Sequence, residues 1–223
     1  MIELAKGANV VRSINKDRRP RRPLAREGAN SLDQKKILLI CVEGETEQAY
    51  FNSIASYNHQ IYPVVFPGNN SSPQGLLSAA ISKVEEFIKK KGLKPSDEAW
   101  LVLDRDEGER DEAILDLYEW AKLHRNRYIA LSVPNFELWI LAHFQGVSGI
   151  STKTEVKTAL DSHISNYKKG NASQLPISVN RISQAVSNIS SKLRECPEEL
   201  ADFDGLGGVT SVHMLVQKMI SDL

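Results

Sequence analysis

The chain has 223 residues, with 28 Lys/Arg balanced by 28 Asp/Glu and a 41% hydrophobic share, ordinary globular values that exclude wholesale disorder. No apolar run approaches the ~20 residues of a membrane span and no apolar signal core opens the sequence, so the chain reads as soluble and cytoplasmic, with no membrane partner. Two cysteines, Cys41 and Cys196, exclude a disulfide framework and a cysteine-based zinc site.

The zero net charge conceals an asymmetry. Residues 1–36 carry ten Lys/Arg against four acids, a balance of +6, and the remainder carries −6. Prolines at 20 and 23 interrupt the basic run and oppose helix formation, so residues 1–35 read as a flexible basic arm. Arg18, Arg19, Arg21 and Arg22 are its candidate nucleic-acid contacts. Such an arm would hold a polyanion in a salt-dependent way without specifying its sequence. A merely solvated tail is the plainer alternative.

From Gln34 onward, short apolar runs alternate with amphipathic stretches. Ile37–Val42 suits a buried parallel strand, and Glu45–Ser56 a helix with Tyr50, Phe51 and Ile54 turned inward. A second strand is expected over Ile61–Phe66, a turn-rich loop over Pro67–Gly75, and a helix over Leu76–Lys90. Strands over Ala99–Leu103 and Tyr128–Val133 bracket a helix over Asp111–Asn126, and Asn135–Phe144 reads as a buried helix. Gly146–Val179 is polar and predicts loops with short helices. Helices over Ser178–Arg194 and from Ser211 onward follow, the last capped by Thr210 or Ser211. The alternation implies an α/β fold, a Rossmann-like and mainly parallel sheet of about four strands flanked by helices. The expected division is a basic arm over 1–35, an α/β domain over 36–145 and a mostly helical C-terminal part over 146–223 packed on it.

Two acidic clusters fall where strands should end: Glu43-Gly44-Glu45-Thr46-Glu47 and Asp104-Arg105-Asp106-Glu107. The carboxyl ends of strands in an open α/β sheet form the crevice where ligands bind. Carboxylates gathered there repel one another unless a cation sits among them, and oxygen-only ligation favours Mg²⁺ or Mn²⁺. Residues two apart in an extended segment share a face, so Asp104 and Asp106 can address one ion. A capping Asp104 beside a solvated acidic turn is the alternative. Glycines 68 and 75 lack the Lys-Ser/Thr ending of a P-loop, which argues against ATP binding. His143, in a largely apolar stretch, reads as a satisfied core residue, and no histidine spacing suggests zinc.

The run ILLICVEGETEQAYF followed by WLVLDRDE resembles a Toprim metal-nuclease domain. More narrowly, PNFELW at 134–139, LAHF at 141–144, YKK at 167–169 and TSVH at 210–213 resemble the RloB/AbiLii family of phage-defence proteins. The resemblance spans roughly Lys36 to Leu223 and departs from the family form at Gly207-Gly208, where Asn-Pro is usual. It implies metal ligation or general acid/base work by Glu43, metal binding by Asp104 and Asp106, a second-metal role for Glu137, and phosphate charge neutralisation by Lys169. Glu137, just after a proline, could instead serve free N–H groups at a helix start. The implied activity is Mg²⁺-dependent cleavage of nucleic-acid phosphodiesters, RNA such as tRNA or DNA, in antiviral abortive infection. A co-encoded ABC/SMC-type ATPase is the implied licensing partner, and a homo-oligomer is left open. The competing expectation is a non-catalytic nucleic-acid-binding adaptor of such an ATPase. An Asp-x-Asp phosphatase is disfavoured, because Glu43 stands where those enzymes carry a nucleophilic aspartate.

Overall fold

Side chains along a strand alternate between its two faces, and here both alternating sets are apolar. Leu38, Ile40 and Val42 point into one core, while Ile37, Leu39 and Cys41 point into another. A strand apolar on both faces must be covered on both, and helices supply the cover. The computed structural model describes residues 35–69, 72–105 and 110–220; the basic-arm residues Arg18, Arg19, Arg21 and Arg22, and also Asp106, lie outside them.

Five strands form one sheet: β1 Lys36–Val42, β2 Ile61–Pro67, β3 Glu98–Asp104, β4 Arg127–Val133 and β5 Val209–Thr210, in the order β2-β1-β3-β4-β5. The first four are parallel and β5 runs antiparallel to β4. The α/β expectation holds, with the short fifth strand added to the four anticipated. Because the chain leaves β1 for β2 on one side and returns to β3 on the other, the strand order reverses between β1 and β3. Their carboxyl ends flank the resulting crevice.

Seven α-helices surround the sheet among the described residues: α1 Glu45–Ile54, α2 Pro73–Lys91, α3 Asp111–Lys122, α4 Glu137–Ala142, α5 Lys153–His163, α6 Val179–Ser190 and α7 Val212–Met219. Helices α2 and α3 cover the Leu39–Leu101 face, and α1 with α4 to α7 covers the Leu38–Trp100 face. The helix α2 starts three residues before the expected Leu76, because Ser72 accepts a bond from the Gly75 N–H and Pro73 suits a first turn. In the polar stretch, α5 is an eleven-residue helix fixed by a reciprocal Thr152–Glu155 capping box. Both cysteines are free thiols, and no described helix is long and apolar enough to cross a membrane.

The C-terminal TSVH stretch fastens β5 to β4. The Ser211 N–H donates to the Leu131 carbonyl at 3.0 Å and the Leu131 N–H donates back to Ser211 Oγ at 2.9 Å. Ser132 Oγ and Thr210 Oγ1 lie 2.9 Å apart. Ser211 does occupy the cap position of α7, but its hydroxyl is committed to β4, and the Val212 N–H donates instead to Thr210 Oγ1 at 3.2 Å. The turn before β5 contains Gly207 at φ +64°, a left-handed conformation that Asn also tolerates. Gly208 is different. A Cβ there would collide with the Ile150 carbonyl, so no side chain fits without backbone movement. Gly208→Ala should therefore lower stability by about 2–3 kcal/mol, an overpacking cost, read from the urea midpoint. Gly146→Ala, which faces open space, should stay within ~0.5 kcal/mol.

Candidate active site

Strand β1 ends at Val42, and the next residue, Glu43, is held against β3: its N–H donates to the Val102 carbonyl at 3.1 Å. Glu43 Oε2 receives a long bond, 3.5 Å, from the Asp104 N–H. Backbone pairing of β1 and β3 thus brings the two acidic strand ends together, although 61 residues separate them in sequence. Glu137 arrives from a third direction, as the first residue of α4 just after β4 and Pro134. Its side chain is only 7% exposed. Lys169 comes from the loop after α5 and meets both Glu137 oxygens, at 3.1 and 3.3 Å.

Together Glu43, Gly44, Glu45, Thr46, Glu47, Asp104, Glu137 and Lys169 line one cavity of about 400 Å³. Four of the sequence-assigned site residues, Glu43, Asp104, Glu137 and Lys169, are among them. Glu137 does not serve as a helix cap: position 136 holds Phe, and no side chain caps α4. Its charge is answered by Lys169.

Glu47 is the site residue that sequence reasoning left out. It stands in the first turn of α1 and is 5% exposed. Gly44 makes room for it: a Cβ on Gly44 would lie 2.5 Å from Glu47 Oε2. The signal was present as Glu-Gly-x-x-Glu, a glycine gap followed by an acid in the next turn. Burial, with Glu137 and Glu43 nearby, pushes the Glu47 carboxyl up to about 7 against opposing contributions from a backbone hydrogen bond and Lys169. Burial alone would lower the Lys169 ammonium, but Glu137, with Asp104 and Glu47, raises it above the ordinary lysine value.

Two further residues shape the cavity. Arg110, at the start of α3, places Nη2 2.8 Å from Glu43 Oε1. Nothing in the sequence singled it out. Gly170, at φ +73°, donates its N–H to Thr46 Oγ1 at 3.1 Å and packs against Glu45, where a Cβ would meet side-chain atoms at 3.1 Å. That bond ties the Lys169 loop to the first turn of α1. Arg105 is not available to the cavity, since it bonds both Asp111 oxygens and Asp204.

The donor set is all oxygen, as a hard divalent ion requires. Crowding among Glu43, Glu47 and Glu137 leaves an electrostatic deficit that a cation would relieve. Among the described residues, no three His, Cys, Asp or Glu side chains are already grouped to hold an ion. Closing the ligand set would need Asp106 or movement of Arg110 and Lys169.

His143 takes no part. Its Nδ1 donates to the Trp139 carbonyl at 2.8 Å, which leaves Nε2 to accept from the Tyr50 hydroxyl at 3.1 Å. Burial pulls its pKa down to about 4.

Two measurements follow from these ionisations. Glu47 binds its proton more tightly folded than unfolded, so stability is lost as pH rises from 4.5 to about 7. Without divalent ions, Glu47→Gln should stabilise the protein at pH 8 by ~1–3 kcal/mol and change little at pH 5. Equal gains at both pH values in urea titrations would contradict the assignment. His143 behaves oppositely: only the unfolded state takes up its proton between pH 6.5 and 4, so its contribution is complete above 6.5 and lost on acidification. The acid-side slope of stability against pH should flatten in His143→Gln, with thermal melts across pH 4–7 as the readout.

A family model described as RloB-like protein matches residues 38–219. A search of curated proteins finds no match to the chain, and a search of solved structures finds none either.

Proposed function

The chain belongs to the RloB-like protein family, and on that premise we propose that it is a metal-dependent nuclease of the Toprim type that cleaves nucleic-acid phosphodiesters. One observation carries the reading: carboxylates from the end of β1, the first turn of α1, the end of β3 and the start of α4, namely Glu43, Glu47, Asp104 and Glu137, converge with Lys169 on a single cavity at the strand-order reversal. Such a gathering is costly for stability, and buried carboxyls perturbed by their neighbours, as Glu47 is, cluster at functional sites.

In this reading Glu43, Asp104 and Asp106 hold a Mg²⁺ or Mn²⁺ ion, and Glu47 and Glu137 are the acids available to a second. The bound ions would supply Lewis-acid activation of a phosphodiester and neutralise its charge. The chain's own groups do the rest. Lys169 stands at the rim on an exposed stem, so it can turn from Glu137 toward a phosphate oxygen and stabilise negative charge as it develops. Arg110 occupies Glu43 until another cation takes its place. With one ion bound rather than two, Glu47, buried beside Glu43 and Glu137, would instead be the carboxylate placed to accept a proton from attacking water. Arg18, Arg19, Arg21 and Arg22 would offset the repulsion between an acidic cavity and a polyanion. A defence role, release by a partner ATPase of the ABC/SMC type, and RNA such as tRNA as substrate complete the proposal.

A second reading is supported by the ion pairs themselves. Arg110–Glu43 and Lys169–Glu137 satisfy two of the carboxylates internally, which suits a non-catalytic nucleic-acid-binding adaptor that needs no metal. Calorimetry with Mn²⁺ separates the two: saturable binding abolished in Asp104→Asn/Asp106→Asn belongs to the nuclease, and absence of binding to the adaptor. For the nuclease, Glu43→Gln should cut metal-dependent cleavage of RNA or DNA at least 10²-fold, about 2.7 kcal/mol of transition-state stabilisation, while the thermal midpoint is kept. Undiminished cleavage by the Asp104→Asn/Asp106→Asn double variant would remove the mechanism.

A further inference from the structure

The opposite edge of the sheet carries a second cavity, of about 410 Å³, between the end of α3, the start of β4 and the Cys196–Glu198 loop. Its lining has the reverse charge of the first. Lys122, His124, Arg125 and Arg127 face a single acid, Glu198. Lys122 is already engaged, with Glu119 at 3.1 Å and Glu199 at 3.7 Å. The two arginines have no carboxylate partner among the described residues.

Arg127 lies 4.6 Å over the Trp120 ring and donates to the Trp120 carbonyl at 3.3 Å. No carboxylate among the described residues pairs with it, and burial depresses its guanidinium pKa. A half-buried cation without a counter-ion is an unfavourable arrangement, relieved when an anion arrives. Arg125 is exposed and likewise has no ion pair among the described residues.

The rest of the wall is apolar and aromatic: Ala121, Ile129, Pro197 and the rings of Tyr118 and Tyr128. Tyr128 is held rigid by stacking on Trp100, 4.6 Å between centroids, and by a bond from its hydroxyl to the Arg125 carbonyl at 3.0 Å. A fixed ring in the same cavity as two guanidinium groups that lack carboxylate partners among the described residues suits a ligand with a flat apolar part and a compact, doubly charged anion. The volume admits one such molecule of nucleotide size.

We propose that this cavity binds a nucleoside monophosphate, its phosphate held by Arg125 and Arg127 and its base against Tyr128 and Pro197. The site is independent of the carboxylate cavity, because strands of seven residues, roughly 20 Å, separate the two edges.

Isothermal titration of the full chain with adenosine, guanosine, cytidine and uridine 5′-monophosphates tests it, with the parent nucleosides and inorganic phosphate as separate titrants. At least one monophosphate should bind saturably at one site, tenfold or more tighter than its nucleoside and than phosphate. Arg125→Ala, at an exposed position that folding tolerates, should weaken that binding at least tenfold, whereas Glu43→Gln should leave it unchanged. Failure of all four monophosphates to bind, equal binding of phosphate alone, or full affinity in Arg125→Ala would each overturn the proposal. Tenfold tighter binding of a 5′-phosphorylated dinucleotide would also overturn it, as the ligand would then be a strand end.

Discussion

Carboxylates crowded into one crevice repel one another unless positive charge lies among them, and this constraint organises the crevice between β1 and β3. Two side chains meet it in part: Arg110 pairs with Glu43 and Lys169 with Glu137. Glu47 has no ion pair of its own among the described residues, and its burial, with the repulsion of Glu137 and Glu43 added, keeps its carboxyl protonated up to about neutral pH. The fold determines this crowding. Parallel pairing of β1 with β3 fixes Glu43 beside Asp104, and the short path from β4 into α4 brings Glu137 to the same place.

The two internal cations are not equivalent. Lys169 has a side chain 70% exposed on a loop tethered through Gly170 and Thr46, so the lysine itself moves at little cost, but its partner Glu137 is only 7% exposed and keeps the need for a counter-charge. Arg110 is 19% exposed and faces a Glu43 that is 12% exposed. Parting those two without replacement would strand a mostly buried charge, at a cost of about 3–5 kcal/mol. A cation entering beside Glu43 must therefore displace Arg110 in the same event, and Lys169 can leave the buried Glu137 only when another cation takes its place there.

How much of this was legible in the sequence depended on how local the cause was. Strands β1 to β4 were legible because runs such as Ile37–Val42 are apolar on both faces, and only a covered strand accommodates that. β5 was not, since two residues have no period and their pairing is decided by Ser132, Ser211 and Leu131 reaching across. Glu43 and Asp104 were legible as acids at strand ends. Glu47 was visible only as one member of an acidic run, because its burial depends on the missing side chain of Gly44 and the angle at which α1 leaves β1. Arg110 gave no signal at all. The cationic cavity was equally hidden, being assembled from α3, β4 and a loop about seventy residues downstream.

The two cavities also bear on how a polyanion could approach. Past residue 36 the chain holds six more acids than bases, and the carboxylates at the β1–β3 crevice concentrate that excess at one edge. Long-range attraction cannot arise from that edge, so a nucleic acid would reach it only when drawn by positive charge elsewhere on the chain. The sequence places +6 in its first 36 residues, and the structure places Arg125 and Arg127, which have no ion pair among the described residues, at the opposite end of the strands. Attraction remote from the crevice and cations within it are separate requirements, since the first acts over a Debye length and is screened by salt, while the second acts at contact and is not. Raising ionic strength would then weaken capture of a polyanion before it disturbed the arrangement of Glu43, Asp104 and Glu137.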